Sequence, residues 1–292
     1  KKKRKLWLII PLVLLALVVA AVLTVYGIFH DKYTQIYEPE TTPPLMEIVP
    51  GASVPDYEQI VDFAELILQQ EGLCPRTVAD LACGTGSMTE LLAEKGYDMI
   101  GIDNSEEMLE IAMEKKFESG KDILYLLQDM REFELYGTVR AVVSVCDSMN
   151  YILEEEDLLE VFRLANNYLD PGGMFIFDMN TPYKYETLIG DSTIAENREE
   201  GSFIWENYFD EESRINEYAL TLFLQEEDDL YRKYEEFHYQ KAYEPERVIE
   251  LLQEAGLEFV AMYDAFTKKA PTKRSERIYI IAKEVQKEKI GD

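Results

Sequence analysis

Residues 77–103, TVADLACGTGSMTELLAEKGYDMIGID, constrain this chain more than any other stretch. Thr77, Val78 and Ala79 form a short apolar run ending in Asp80. A tight Gly84-Thr85-Gly86 loop follows, and residues 88–95 then show helical spacing, with Leu91 and Leu92 on the buried side. After Gly96 the chain turns, residues 99–102 read as a second buried strand, and Asp103 stands at its carboxyl end. The consequence is one strand–loop–helix–strand unit.

Such a unit is chemically specific about its ligand. Glycines at 84 and 86 let the backbone turn sharply and approach a ligand with no Cβ in the way, and an acid at the end of the second strand accepts both hydroxyls of a ribose. A nucleoside-containing cofactor is implied. A dinucleotide site has the same loop-to-acid spacing, but its third glycine would fall where Thr89 stands, which counts against a nicotinamide oxidoreductase.

Asp80-Leu81-Ala82-Cys83-Gly84-Thr85-Gly86 resembles the first motif of the class I S-adenosylmethionine (SAM) methyltransferases, and Gly101-Ile102-Asp103-Asn104-Ser105 resembles their second. Gln128-Asp129-Met130-Arg131 is similar to their adenine-side motif. Leu169-Asp170-Pro171-Gly172-Gly173 is similar to the turn before their fifth strand. Through Cys146-Asp147-Ser148-Met149-Asn150-Tyr151 and Ser275-Glu276-Arg277-Ile278 the match is most like the bacterial YqeM-like branch, often labelled as tRNA methyltransferases. It covers residues 57–285. The resemblance implies a Rossmann-like, doubly wound seven-stranded α/β sheet and SAM as cofactor. It also implies cofactor contacts from Asp80, Ala82, Cys83, Gly84, Gly86, Asp103, Asn104, Met108, Asp129, Met130 and Cys146, with no metal.

Alternation of strands and helices supports that architecture. The helix beginning near Asp56 buries Ile60, Phe63, Ile67 and Leu68 and ends by Gly72; the resemblance places it over the cofactor cleft. Ser105 caps a helix containing Met108, Leu109 and Ala112. Strands are expected at 123–127, 141–145 and 174–177, with a helix at 157–168. The alternation then breaks. Residues 203–209, 214–224 and 230–243 read as three strands of an antiparallel cap, inserted as residues 183–244 between core segments 56–182 and 245–292. Pro245 opens a helix ended by Gly256, and strands at 257–263 and 277–282 close the sheet, the last antiparallel by resemblance.

Residues 6–29 carry no charged side chain, enough for a helix of roughly 36 Å against a hydrocarbon core of about 30 Å. With basic residues 1–5 before it, this stretch is expected to anchor the chain in a membrane, and residues 31–55, rich in proline, to form a linker. The basic flank would put the catalytic domain outside the cell, whereas SAM and the unpaired Cys74, Cys83 and Cys146 favour the cytoplasmic side, which is the expectation adopted. The net charge of −28 disfavours a nucleic-acid acceptor and favours a small molecule.

Methyl transfer from a sulfonium asks the protein mainly for placement and exclusion of water, with deprotonation where the acceptor requires it. Asp80 is expected to order the loop and favour the cationic end of the cofactor, Asp103 to hold the ribose and Asp129 the adenine amino group. On the acceptor side stand Asn150, Tyr151 and His238, with an aromatic wall from Tyr183, Tyr185, Trp205, Tyr208, Tyr239 and Tyr243. A small-molecule methyltransferase is the leading expectation. An RNA methyltransferase, a nicotinamide oxidoreductase and a membrane-tethered SAM sensor without turnover are the alternatives.

Overall fold

The computed structural model describes residues 57–70, 77–197, 201–225 and 230–287. The expected anchor 6–29, the linker 31–55, Asp56, Gly72 and Cys74 lie outside these residues. Among the described residues no helix is long and apolar enough to cross a membrane.

Five parallel strands come first: β1 (Thr77–Leu81), β2 (Asp98–Asp103), β3 (Ile123–Leu127), β4 (Val139–Ser144) and β5 (Leu169–Asn180). Two more, β10 (Leu257–Asp264) and β11 (Arg277–Glu284), complete a sheet of order β10-β11-β5-β4-β1-β2-β3, with β11 antiparallel to both neighbours. The chain reverses its winding between β1 and β4, the point at which such sheets open a crevice above the strand carboxyl ends.

Alternation along each strand divides the apolar side chains between two layers. Ala79 and Leu81 of β1, and Phe175 and Phe177 of β5, pack against α4 (Glu155–Tyr168) and α5 (Pro245–Glu254) through Phe162, Val248 and Leu252. Val78, Met174 and Ile176 face the other way, onto Ile60, Phe63 and Ile67 of α1 (Tyr57–Gln70) and Leu92 of α2 (Ser87–Glu94). Phe177 is fully buried, and truncating a side chain of this kind to alanine costs about 3–5 kcal/mol. Helix α3 (Glu106–Ser119) starts as expected: the Ser105 hydroxyl accepts from the Met108 amide at 3.2 Å, and Gly120 closes it at φ 67°.

After β5 a π-helical turn, Lys184–Ile189, leads to a separate antiparallel sheet, β6 (Ser192–Asn197), β7 (Gly201–Asp210), β8 (Ile215–Gln225) and β9 (Tyr231–Lys241). This cap has four strands where the sequence predicts three. β6 is a polar edge strand exposed along nearly its whole length, so it carries no alternation to read. The expected turn at 169–173 also belongs to β5. Leu169 pairs with Val139 and Met174 with Ala141, so Asp170-Pro171-Gly172-Gly173 is an irregularity within the strand.

Candidate active site

Above the carboxyl ends of β1 to β4 lies a cavity of about 630 Å³. Its walls include Ala82, Gly84, Asp103, Asn104, Met108, Asp129, Met130, Tyr151 and His238 from the expected set, together with Ser105, Arg131, Ser148 and Glu154. Asp80, Cys83, Gly86, Cys146 and Asn150 are not in the wall. Nor is any described residue of α1, which packs on the sheet face rather than over the cleft.

The glycine loop divides its labour. Gly84 lies at φ 54°, a conformation that L side chains rarely adopt, and a Cβ there would meet nothing within 4 Å, so glycine keeps that part of the cavity wall clear. Gly86, at φ 74°, serves packing: a Cβ on it would stand 2.3 Å from the Tyr125 hydroxyl, and one on Gly101 would stand 2.5 Å from the same ring. Tyr125 therefore lies across both glycines, a constraint that reads from sequence as ligand approach at position 86.

Asp103 is nearly buried, yet it lines the cleft. Its Oδ2 accepts from the Gly84 amide at 2.8 Å and its Oδ1 from the Ser105 amide at 2.9 Å. Each carboxylate oxygen keeps a second lone pair, so the residue fixes the loop and still presents acceptors for a pair of hydroxyls. A nucleoside cofactor fits here on two counts: a clear glycine edge and an acid already oriented by backbone donors.

Asp80 sits below the loop. Burial pushes its carboxyl up to about 7, an effect opposed by the 2.6 Å hydrogen bond donated by Thr89 and reinforced by the Asp103 charge. Thr89, noted in the sequence only as a missing glycine, is thus the partner of a buried acid. Burial also pushes the Cys83 and Cys146 thiols up, away from the reactive thiolate. Asp129 lines the cleft, but its carboxylate accepts from the Arg131 side chain at 2.6 and 2.9 Å, and this partner holds its pKa below the ordinary range. The expected adenine acceptor is therefore already engaged by an arginine two residues on.

The far wall belongs to the turn after β4 and to the cap. Tyr151 Oη lies 3.1 Å from His238 Nδ1 and 2.8 Å from Tyr218 Oη, and His238 Nε2 lies 3.2 Å from Glu236 Oε2. The Tyr218 ring stacks on His238 at 4.8 Å, and Trp205 follows at 5.1 Å from Tyr218. Because Glu236 accepts from Nε2, the Nδ1 atom is free to accept from Tyr151, and Tyr218 then donates to Tyr151. Burial raises the Tyr151 pKa, so the phenol stays protonated.

Two expectations are corrected here. Asn150 does not line the cavity: it is fully buried, its amide donates to the carbonyls of Asn180 at 3.2 Å and Lys241 at 2.8 Å, and its Oδ1 accepts from the Asn180 amide at 2.9 Å. None of the six aromatics expected to form a wall, Trp205 included, lines the cavity. Tyr185 is buried with its hydroxyl on Gln240, Tyr243 is buried with its hydroxyl on the Ile152 carbonyl, and Tyr208 and Tyr239 are exposed. Tyr183 lines a second cavity. The residues that sequence reasoning missed are Tyr218 and Glu236. Glu236 and His238 alternate on one strand and so share a face, a spacing that was available to read.

Four similarities to known proteins bear on this site. A family model described as "Methyltransferase domain" matches residues 78–173. YqeM of Bacillus subtilis (strain 168), a protein named as a methyltransferase, is 36% identical over 229 residues, which span 77% of this chain and 90% of that protein. A crystal structure of an S-adenosylmethionine-dependent methyltransferase from Clostridium acetobutylicum ATCC 824 is 28% identical, with a TM-score of 0.77 over 88% of this chain and 99% of that one. The sugar N-methyltransferase KedS8 from Streptoalloteichus sp ATCC 53650 shares the fold, with a TM-score of 0.66 at 17% identity over 80% of this chain and 89% of its own.

Proposed function

Since the chain belongs to the YqeM-like family of class I SAM-dependent methyltransferases, we propose that it methylates a small molecule bearing a hydroxyl or amine, seated between the strand ends and the inserted sheet. The observation that carries this reading is the wall opposite Asp103, where Tyr151 and His238 meet within hydrogen-bond reach and Glu236 backs the imidazole.

SAM supplies a methyl group on an excellent leaving group, so the chain's own residues are left with placement and one proton. With SAM bound, Asp103 would accept the ribose hydroxyls on its remaining lone pairs and Gly84 would leave room beside them, while Asp80 stays buried outside the wall and paired with Thr89. The proton that the acceptor nitrogen or oxygen must give up would pass to Tyr151. The Tyr151 proton passes to His238 Nδ1, and Glu236 steadies the imidazolium that results. The cap closes over this end and excludes water.

The charge of the whole molecule supports a small acceptor. A net charge of −28 repels a polyanion, and Arg131, the cation in the cleft wall, is paired with Asp129 and Asp157. KedS8, which shares the fold, is a sugar N-methyltransferase by name. The test is transfer of labelled methyl from SAM to a panel of small amines and alcohols, amino sugars included, beside a total tRNA pool. Label on a small molecule and none on RNA is the expected result; label on RNA alone overturns the acceptor class.

We further propose that residues 6–29 anchor the chain in a membrane with the catalytic domain on the cytoplasmic side. Protease added to intact cells is expected to leave that domain uncut, and its digestion would place the domain outside.

A further inference from the structure

Two motifs separated by much of the chain, 146–151 and 275–278, meet beside the site, and of their residues Ser148 and Tyr151 line it. Cys146 and Asp147, separated from the end of β4 by one residue, both adopt left-handed backbone conformations, at φ 61° and 54°. Non-glycine residues enter that region at a steric cost and stay there only where their surroundings hold them. What holds them is Asp178 near the end of β5, whose side chain is completely buried. Its two oxygens accept the Cys146 amide at 3.2 Å and the Asp147 amide at 2.6 Å. Arg277, the first residue of β11, donates one nitrogen to Asp178 at 2.8 Å and the other to Asp147. The second Asp147 oxygen accepts from Gln240 of β9 at 2.6 Å, and Gln240 in turn accepts from the Tyr185 hydroxyl at 2.8 Å. The 3₁₀ turn Ser148–Tyr151 begins at the next residue and ends at the tyrosine that meets His238.

We infer that Arg277, bridged between Asp178 and Asp147, is a positioning residue for methyl transfer: it locks the left-handed Cys146-Asp147 pair and thereby sets the angle at which Tyr151 meets His238. The geometry gives the arginine fork a reason that a lysine cannot meet, since two separate carboxylates must be held at once in a fixed relation. The same Asp147 takes Gln240 from the cap, so the bridge also registers β9, which carries His238, against the turn that carries Tyr151. The inference rests on the reading of Tyr151 and His238 as the acceptor-side pair. The competing account is that Arg277 merely staples β11 to β5.

The full chain contains two histidines, so the ring-nitrogen NMR signals of His238 are assigned by their loss in His238→Asn. The parent is expected to show one tautomer, protonated at Nε2. Arg277→Lys is expected to mix the tautomers as Tyr151→Phe does, and the double variant to look like Tyr151→Phe alone. With an acceptor found in the panel above, Arg277→Lys lowers turnover by about ten- to a hundredfold in the parent, but by no more than about twofold where Tyr151 is already Phe, with SAM affinity unchanged in both. Asp147→Asn, which keeps the Asp178–Arg277 contact, tests the same link should Arg277→Lys not fold, and the same tautomer mixing is expected of it. His238 signals left intact by Arg277→Lys, or by Asp147→Asn in its place, yet altered by Tyr151→Phe overturn the positioning role. So does an equal loss of turnover in both backgrounds. If Tyr151→Phe and His238→Ala both keep full turnover, the acceptor-side reading itself fails, and that result is distinct from either.

Discussion

The two halves of the cleft are assembled in opposite ways. Around the glycine loop the partners are near neighbours in sequence: Gly84 and Asp103 are 19 residues apart, Asp80 and Thr89 nine, and Asp129 and Arg131 two. Around Tyr151 the partners are distant. Tyr151 and His238 lie 87 residues apart, Asp147 and Gln240 93, and Asp147 and Arg277 130. The first half is carried by one βαβ unit and the strand beside it, whereas the second exists only once the cap and the last strand have docked. On the proposed reading, binding of the cofactor and choice of the acceptor thereby become separable properties of one cavity.

The separation is open to attack from either side, and the largest effect is expected on the distant half. His238→Ala lowers turnover by about 10²- to 10⁴-fold while calorimetric SAM affinity holds; a parallel fall in affinity would show that the halves are not separable. Asn150→Ala comes next, and its effect falls on stability. It strips partners from the Asn180 amide and from two carbonyls, and with about 1–3 kcal/mol for each such group a loss of at least about 3 kcal/mol is expected in denaturant unfolding. An acceptor Michaelis constant that rises with no loss of stability would return Asn150 to the acceptor site.

On the local half, Asp103→Ala is expected to weaken SAM binding by about ten- to a hundredfold, or 1–3 kcal/mol, with turnover at saturating SAM little changed. Undiminished affinity would remove Asp103 from the cofactor site. The smallest effect concerns Asp80, whose carboxyl is lifted from 3.8 to about 7 by burial. The native state holds this proton more tightly than the unfolded chain does. Its contribution to stability is therefore complete below the unfolded value and is withdrawn as pH rises through the folded one. In the cofactor-free protein, Asp80→Asn should flatten the decline of Tm between about pH 4 and 7; superimposable profiles would mean that Asp80 titrates normally.

Legibility in the sequence follows the same division. The order of strands and helices through Asp178 could be read in advance from local periodicity and motifs a few residues long, and the antiparallel last strand only from the family resemblance. β6 could not, since a polar edge strand exposed along its length leaves no alternating pattern. Within the site, Asp103 was readable from its place at a strand end. Arg277 and Asp178 were visible only as a motif residue and a strand terminus, because the reason for both lies in backbone angles at Cys146 and Asp147 that no periodicity encodes. Asn150 was misread for a related cause: a polar residue after a strand points equally to substrate or to backbone until the returning strand is in place.

The Asn150 amide has a consequence for how this architecture can vary. It ties the carbonyl of Asn180, the last residue of β5, to that of Lys241, the last residue of β9, which are the points where the chain leaves the core and comes back to it. An excursion whose two ends are fixed together behaves as a closed loop, and the entropic cost of such a loop grows only logarithmically, about 0.6 kcal/mol for each doubling of its length. The core can thus carry a longer, shorter or wholly different excursion at this neck with little change in its own stability, so that a new acceptor could be accommodated by exchanging the excursion while the cofactor end stays as it is.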